Sequence, residues 1–257
     1  MNSGIFIEPV LTNNFNHRYA HLDEAAVAIL LCEAIQQLPG GTTKVLCLIG
    51  GAASGKSTLA RLLIVALAKS GMTADTIGTD DFNRGDRAWR WKHFEGRDTT
   101  DQLDAPELKD FDLLNQKVNA IQQNTDPDRT IGVPTYNPAT GLAIDEGEEN
   151  YAHHIGLIDV LIVEGDFDPV EAPDLIVYLH VSDEQRLQNR IDRDAIHRNG
   201  NREQTIASFN FRQQHQHVPY TLPVAKKADI LLDVQTTGGT WRYDVYQTKA
   251  IQRKARV

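Results

Sequence analysis

Residues 50–57 combine small side chains, a lysine and a hydroxyl at fixed spacing. They read Gly-Gly-Ala-Ala-Ser-Gly-Lys-Ser, which matches the pattern Gly-x-x-x-x-Gly-Lys-Ser/Thr in full. Small residues let backbone N–H groups turn inward around a polyphosphate, and a helix starting there adds the positive end of its dipole. Lys56 brings a cation to the β- and γ-phosphates, and the Ser57 hydroxyl is a ligand for Mg²⁺. We therefore predict a site for ATP with Mg²⁺, lined by Gly50, Gly51, Ala52, Ala53, Ser54, Gly55, Lys56, Ser57 and Thr58.

Carboxylates stand at the ends of two further apolar runs. Asp80 and Asp81 follow a predicted strand over 73–77, and Glu164 ends another predicted strand. In a parallel sheet, such strand ends meet at one crevice. A carboxylate there can accept the proton of an attacking hydroxyl, and others can bind Mg²⁺ directly or through water. The alternative for a single Asp at a strand end is a turn or helix cap, and for Asp81 both remain open.

Three arginines share one face of a predicted helix. Arg186, Arg190 and Arg193 are spaced four and three residues apart, after a capping-box pattern that begins at Ser182. A face of guanidinium groups suits a transferred phosphate, whose charge spreads over its equatorial oxygens. The alternative is a solvated helix with local ion pairs, such as Arg190 with Asp194.

The predicted elements alternate between strand and helix along the chain. Strands that are apolar nearly throughout and alternate with helices indicate a parallel sheet covered on both faces. We predict a doubly wound α/β fold, with its ligands beyond the carboxyl ends of the strands. The predicted helices cover 22–38, 56–70, 107–123, a segment that opens after 182, and 202–216, and the predicted strands cover 44–49, 73–77, 157–163, 175–181 and, as the last strand, 230–234.

Length and charge limit the class of protein. The 257 residues fit one domain, with an N-terminal helical extension over 1–42 and a nucleotide-binding core over 44–234. A net charge of −9 argues against a nucleic-acid partner. No stretch has the apolar length of a membrane span, no signal peptide is visible, and the two cysteines fit a reducing compartment. We expect a cytoplasmic protein without membrane contact, and a homo-oligomer stays possible.

The motifs, taken together and in order, resemble the uridine kinase, phosphoribulokinase and pantothenate kinase group of P-loop kinases. The resemblance runs from about residue 44 to residue 233 and so covers most of the chain. Most of the matching pieces are weak signals alone, but their common order is specific. They are the loop over 50–57, Asp80-Asp-Phe82, Leu103-Asp-Ala-Pro-Glu107, Phe111-Asp-Leu-Leu114, Val133-Pro-Thr-Tyr136, Val163-Glu-Gly165, the arginine helix over 186–194 and Lys227-Ala-Asp-Ile230.

The resemblance implies an ATP-dependent kinase that phosphorylates a hydroxyl of a nucleoside, sugar or sugar phosphate. By position, Asp80 looks like the general base, and Ser57 with Glu164 looks like the Mg²⁺ site, with Asp80 close to it. Tyr136 looks like a wall of the acceptor pocket. The arginine helix looks like a lid around 186–202 that closes over the nucleotide. The implied catalytic residues are Lys56, Asp80, Arg190 and Arg193.

The chain departs from the uridine kinases where they read the base. Asn83 stands where those kinases carry a tyrosine, and the histidine and arginine that follow their counterpart of Tyr136 are missing. Uridine and cytidine are therefore not favoured as acceptors. We expect the acceptor to contact Asp81, Phe82, Arg84 and Tyr136.

A basic, aromatic segment over 84–97 also belongs to the predicted acceptor side. It holds five cations, two acids and two of the three tryptophans of the chain. Arginines suit an anionic group and aromatic rings suit a ring or sugar face, which predicts an acceptor-binding loop. The alternatives are contact with nucleic acid, or a surface loop that packs its tryptophans on the domain.

Two other classes of function remain as alternatives. A GTPase or ATPase switch is disfavoured because the chain lacks the Asn-Lys-x-Asp and Leu-Ser-Gly-Gly-Gln motifs. A regulatory module that binds nucleotide without turnover is disfavoured by the acids and the arginine face. The histidine pairs His153 with His154 and His215 with His217 lack further ligands nearby, so we interpret them as surface or packing residues.

Overall fold

The computed structural model describes residues 10, 15–86, 89, 92, 106–137, 143–144, 153–197, 201–237 and 240–248. Its strands are β1 (Phe15–Leu22), β2 (Lys44–Gly50), β3 (Ala74–Gly78), β4 (Ile131–Gly132), β5 (Thr135–Tyr136), β6 (Ala143–Ile144), β7 (His154–Ile155), β8 (Val160–Gly165), β9 (Leu175–Val181), β10 (Ile230–Thr237) and β11 (Thr240–Thr248). Its α-helices are α1 (Glu24–Gln36), α2 (Lys56–Lys69), α3 (Phe111–Gln122), α4 (Asp183–His197) and α5 (Arg202–Arg212). A π-helix (Gln213–Thr221) continues α5.

The main sheet has seven strands in the order β1-β11-β10-β9-β2-β8-β3. The five strands from β10 to β3 are parallel, and β11 and β1 add an antiparallel edge. Two shorter sheets pair β4 with β7 and β5 with β6. The predicted parallel α/β sheet is therefore confirmed, with an antiparallel edge that was not predicted.

Side chains of β2 alternate between two hydrophobic cores. Val45, Cys47 and Ile49 belong to the core that includes α3, whereas Leu46 and Leu48 belong to the core that includes α1 and α2. Because successive strand residues point to opposite faces, helices cover both faces of the sheet, as predicted. This arrangement buries the strands and leaves their carboxyl ends as one crevice.

The antiparallel edge corrects the prediction that residues 230–234 form the last strand. β10 runs on to Thr237, and β11 returns beside it, with Phe15 of β1 paired to Thr248. The exposure of β1 explains why it was missed, since most of its residues face solvent. An edge strand of this kind has no continuous apolar run by which the sequence could reveal it.

Helix boundaries otherwise follow local capping. α1 begins after Asp23, whose side chain accepts from the Ala26 N–H at 2.8 Å, and α4 begins after Ser182, whose hydroxyl accepts from the Gln185 N–H at 3.2 Å. Both are side-chain caps of the expected type. Within the residues described, no helix combines the length and the apolar character needed to cross a bilayer.

Candidate active site

The loop between β2 and α2 has the backbone of a phosphate cradle. Gly55 has φ +89° and Ala53 has φ +64°, which turns the chain sharply before α2 begins at Lys56. No side chain caps the first turn of α2. Its first N–H groups are therefore not taken by a capping side chain, and the helix dipole favours negative charge there.

Lys56 folds back across this loop. Its Nζ atom donates to the carbonyls of Gly50 at 2.7 Å and Gly51 at 3.1 Å, and to Oδ1 of Asp166 at 2.8 Å. Asp166, just beyond β8, also accepts from Nε2 of Gln216 at 3.2 Å. Sequence analysis missed Asp166, because a single acid after the Glu-Gly pair matches no pattern in the loop. The lysine predicted to meet the phosphates thus has a carboxylate partner.

Ser57 and Glu164 are brought together as predicted for a metal site. The Ser57 hydroxyl donates to Oε2 of Glu164 at 2.8 Å. No group of three or more His, Cys, Asp or Glu side chains lies at metal-binding spacing in the described part of the chain. Mg²⁺ is commonly held by one or two carboxylates, water and substrate phosphates. A hydroxyl and one carboxylate beside the cradle therefore fit Mg²⁺, which phosphates would help to bind.

Asp80 lies near this pair because of the strand register. Gly78 of β3 is paired with Glu164 of β8, and a Cβ atom on Gly165 would overlap the side chain of Thr79. The short 3₁₀-helix over Thr79–Phe82 is therefore packed on the end of β8. Asp80 stands in this helix, at the same crevice as Glu164 and the cradle.

Lys109 is a site residue that the sequence did not reveal. Its Nζ atom donates to Oδ1 of Asp80 and to Oδ1 of Asn83, each at 2.6 Å. The backbone of the same segment pairs with residues 82–84, since Asp110 donates to the Phe82 carbonyl at 2.7 Å. A lone lysine in a polar stretch gives no signal of this role. Asn83, which stands where the uridine kinases carry a tyrosine, is therefore bound to Lys109.

The contacts of Asp81 are those of a turn residue. One carboxylate oxygen accepts from the Gly78 N–H at 2.7 Å and the other from the Tyr136 N–H at 2.8 Å. Burial raises the pKa of Asp81, these two hydrogen bonds lower it, and the charge of Asp80 raises it. Of the two roles left open for Asp81, the structure supports the turn, and it anchors β5 beside the crevice.

Phe82, Tyr136 and Arg84, the other predicted acceptor contacts, have different surroundings in the structure. Phe82 is buried in the hydrophobic core, so its placement gives it a packing role and does not support contact with an acceptor. The partly buried Tyr136 stands in β5, and Nη2 of Arg84 lies 3.5 Å from Oδ1 of Asp110. Most of the basic segment over 84–97, residues 103–105 and the lid residues 198–200 lie outside the described residues.

The arginine helix does not present its three arginines alike. Arg186 and Arg190 are buried and line a cavity against Ala52 of the cradle. Arg193 is partly exposed, is not among the lining residues and donates to Asp194 at 3.1 Å. Arg193 is therefore placed differently from the other two arginines. Its spacing of seven residues keeps it on nearly the same helix face as Arg186, but about two helical turns along the axis carry it beyond the cavity lining.

Arg190 lines the cavity at the cradle and also forms the ion pair with Asp194 that was the alternative interpretation of the arginine helix. Its Nε atom lies 3.6 Å from Oδ2 of Asp194, and its Nη2 atom donates to Ser208 at 3.0 Å. Burial lowers the pKa of Arg190 to about 10, and the charge of Arg212 adds to this, while Asp194 opposes it. The guanidinium is still charged at neutral pH, close to where phosphates would lie.

The fold and the cradle define a P-loop protein of the kinase type. The chain belongs to the Phosphoribulokinase / Uridine kinase family, whose model matches residues 45–240. It is 30% identical over 188 residues to a phosphoribulokinase of Synechocystis, covering 73% of this chain and 52% of that protein. It is 24% identical to uridine-cytidine kinase-like 1 of Mus musculus, covering 71% of this chain and 32% of that protein. The chain thus spans about half the length, or less, of these curated relatives.

Solved structures share the fold at lower identity. A D-glycerate 3-kinase of Cryptococcus neoformans superposes with a TM-score of 0.63 at 16% identity, covering 84% of this chain and 99% of that one. A putative fructose transport system kinase of Silicibacter superposes with a TM-score of 0.57 at 22% identity, covering 78% and 94%. These similarities confirm the predicted α/β fold.

Proposed function

We propose that this chain is an ATP-dependent kinase that transfers the γ-phosphate to a hydroxyl of a sugar, sugar phosphate or nucleoside. The observation that carries the proposal is the placement of Asp80 at the crevice that also holds the cradle and the Ser57–Glu164 pair. A base, a metal site and a phosphate loop at one crevice are what phosphoryl transfer to a hydroxyl requires. Membership of the Phosphoribulokinase / Uridine kinase family supports the same activity.

In the proposed reaction, the acceptor oxygen attacks the γ-phosphorus in line with the bond to the β,γ-bridging oxygen. That bond breaks as the new P–O bond forms, and the bridging oxygen leaves on ADP with the bonding electrons. The hydroxyl proton passes to the Asp80 carboxylate. Asp80, held by the Lys109 ammonium, can be fixed in position before the acceptor arrives, which is the main means by which such sites lower the barrier.

Three groups would balance charge on the phosphates. Lys56 would break its ion pair with Asp166 and bind the β- and γ-phosphates. Arg190 would contact the phosphates from the side of the predicted lid. Ser57 and Glu164 would hold Mg²⁺, which would supply positive charge to neutralise the phosphates. The buried surroundings of Arg190 strengthen its attraction for an anion, since water screens it little.

The acceptor class rests on what surrounds Asp80. Among the similar proteins, the names phosphoribulokinase, D-glycerate 3-kinase and fructose transport system kinase point to a sugar or a related hydroxy acid, whereas uridine-cytidine kinase-like 1 points to a nucleoside. Asn83 accepts a hydrogen bond from Lys109 in this chain. The residues with which uridine kinases read the base are missing. We therefore rank a sugar or sugar phosphate above a nucleoside, with Tyr136 and Arg84 as its proposed contacts. No nucleic acid or membrane partner is proposed.

The test is ADP release from ATP and Mg²⁺ against a panel of acceptors. The panel contains pentoses, hexoses, their phosphates, glycerate, nucleosides and pantothenate. One acceptor should raise ADP release well above background, and Asp80→Asn should abolish most of that increase. Asp112→Asn, which alters an exposed acid on α3, serves as the control. ADP release that needs no acceptor would favour an NTPase switch, and binding without turnover would favour a regulatory module.

A second measurement tests the metal site. Glu164→Gln removes the negative charge beside Ser57 but keeps the shape of the residue 164 side chain. The variant should need a higher Mg²⁺ concentration for half-maximal ADP release, because a neutral amide binds Mg²⁺ more weakly than a carboxylate. An unchanged Mg²⁺ requirement would contradict the place given to Glu164.

A further inference from the structure

A cavity lies between the phosphate cradle and the π-helix that follows α5. Ala52, Asp166, Arg186, Arg190, Gln216 and His217 are among the residues that line it. The arginines outnumber the single acid of this set. A partly enclosed space with this surplus of positive charge suits an anionic group.

His217 is the lining residue whose contacts are incomplete. Its side chain is buried, with 5% relative exposure for the residue, and neither ring nitrogen has a hydrogen-bond partner among the described residues. A Cβ atom on Gly51 would lie 2.8 Å from Nδ1 of His217, so the ring packs directly on the cradle backbone. Buried polar atoms are nearly always hydrogen-bonded, because leaving one unpaired is costly. The geometry therefore calls for a partner that enters with a ligand.

The environment of His217 fixes what that partner can be. Burial is the main cause that lowers its pKa well below the usual range, and the charges of Arg186, His180 and Lys56 lower it further. The neutral ring has one N–H donor and one acceptor nitrogen. An oxyanion between Lys56 and the lid arginines would accept from that N–H. Since Lys56 of this loop type reaches the β- and γ-phosphates, the terminal phosphate is the group that fits.

The π-helix explains why His217 faces inward. Its hydrogen bonds span five residues, and such segments occur frequently at functional sites. Within it, the neighbours Gln216 and His217 are both buried and both line the cavity. His215 is only partly buried and packs in a tilted arrangement against Phe211, with 4.4 Å between the ring centroids. One segment thus contains a histidine on the cradle and a matched histidine away from it.

We propose that the neutral imidazole N–H of His217 donates a hydrogen bond to the γ-phosphoryl group of the bound nucleotide. The proposal rests on the proposed function to the extent that the cradle binds ATP. It makes His217 a residue that distinguishes a triphosphate from a diphosphate. A contact of this kind would hold the γ-phosphate during transfer and be lost once ADP has formed.

The test compares two nucleotides on the full chain by calorimetry, β,γ-imido-ATP with Mg²⁺ and ADP with Mg²⁺. The variants are His217→Phe, which fills the space without a donor, His217→Gln, which keeps an N–H, and His215→Phe as the matched control. His217→Phe should weaken β,γ-imido-ATP by roughly ten- to a hundred-fold and ADP by less than about twofold. His217→Gln should retain most of the affinity, and His215→Phe should match the unaltered chain.

Loss of affinity for both nucleotides to the same degree, or for neither, would overturn the proposal and leave His217 a packing residue. The urea midpoint of each variant separates such a result from unfolding. An effect on the KM of the acceptor alone would also overturn it, since the contact would then be to the acceptor. If the unaltered chain binds neither nucleotide, the proposed function itself fails. If it binds both and His217→Phe does not discriminate, only the role of His217 fails.

Discussion

The ammonium nitrogen of Lys109 lies 2.6 Å from Oδ1 of Asp80, although the two side chains differ sharply in exposure, at 1% and 63%. A buried lysine is costly unless its charge is paired. Asn83 supplies a further acceptor, at 2.6 Å. Asp80 is thus held from the protein side by a fixed cation while its carboxylate remains open to an acceptor.

Replacing Lys109 by Met should slow turnover more than it weakens acceptor binding. The carboxylate of Asp80 would lose its fixed position, and misplacing a catalytic group by about 1 Å can cost up to a hundred-fold in rate. We expect kcat to fall by about ten- to a hundred-fold, with a smaller change in KM. Steady-state kinetics with the acceptor found in the panel would measure both.

Two further variants show whether the Lys109 charge or its volume matters. Lys109→Arg keeps a cation and should recover part of the rate. Lys227→Met removes an exposed lysine, which pairs with Asp168 at 3.1 Å, and should leave turnover unchanged. A loss of rate equal in Lys109→Arg and Lys109→Met would speak against positioning by charge.

Asp166 and the incoming γ-phosphate compete for the same lysine. In the structure, Lys56 and Asp166 form an ion pair at 2.8 Å, which must open before Lys56 can meet a phosphate. Asp166→Asn removes the competing charge and its repulsion of the phosphates. We expect the Kd of β,γ-imido-ATP with Mg²⁺ to fall by about fivefold, the equivalent of about 1 kcal/mol, as measured by calorimetry.

The control for this change is Asp168→Asn, because Asp168 pairs with the exposed Lys227. Its nucleotide affinity should equal that of the unaltered chain. Weaker binding by Asp166→Asn would mean that the ion pair orients Lys56 for the phosphates and does not compete with them.

Gly55→Ala should destabilise the fold more than Gly71→Ala. Both glycines have positive φ, +89° and +77°, which costs a residue with a Cβ about 1–2 kcal/mol. A Cβ on Gly55 would also lie 2.7 Å from Cζ3 of Trp241, whereas nothing lies within 4 Å of one on Gly71. Urea unfolding should show a loss of about 3 kcal/mol for Gly55→Ala and about half that for Gly71→Ala. Equal losses would exclude the clash with Trp241.

Asp233 should make the protein less stable at high pH than a neutral residue would. Burial raises its pKa to about 6, and the facing Asp244 adds to this, while Gln235 opposes it. His180, 4.0 Å away, offers no compensating charge near neutral pH, because burial lowers its pKa to about 4. Between the unfolded pKa of 3.8 and the folded pKa, the folded state holds the extra proton. Stability therefore falls as the pH rises through this window.

Asp233→Asn removes that penalty. The variant should be more stable than the unaltered chain by about 1–3 kcal/mol at pH 8 and by nothing measurable below about pH 3, where both states are protonated. Urea unfolding across this range provides the measurement. Asp128→Asn, at an exposed position, should show no pH-dependent gain. A gain from Asp233→Asn that is the same at every pH would contradict the titration.

Local signals were enough to predict most of the nucleotide side of the site. The small residues of the cradle, the cap at Ser182 and the acids at strand ends act over short stretches of chain, and each stands where its spacing indicated. The pairing of Ser57 with Glu164 could be expected because parallel strands bring their carboxyl ends together. Here the sequence pattern and the sheet topology carry the same information.

Contacts between distant segments were missed. Lys109 meets Asp80, and Asp166 meets Lys56, only after the chain has folded, and neither residue belongs to a periodic or spaced pattern. His217 was interpreted as a surface or packing residue, and the structure buries it, at a point where the helical period predicted through 216 gives way to a π-helix that changes the inward-facing side. For Phe82, an apolar residue beside an acid looks the same in sequence whether it faces the core or a ligand.

The pairing of β1 with β11 has a consequence for how the chain acquires its structure. The strand that leaves the ribosome first among those of the sheet can be paired only after the last of them has emerged. Until then, the backbone groups along one edge of β10 remain exposed. The start of α1 is also not yet held by a paired β1. Pairings between such distant segments slow folding, and open strand edges invite association with other chains. Until this edge of the sheet is complete, the nascent chain would therefore depend on protection from association with other chains.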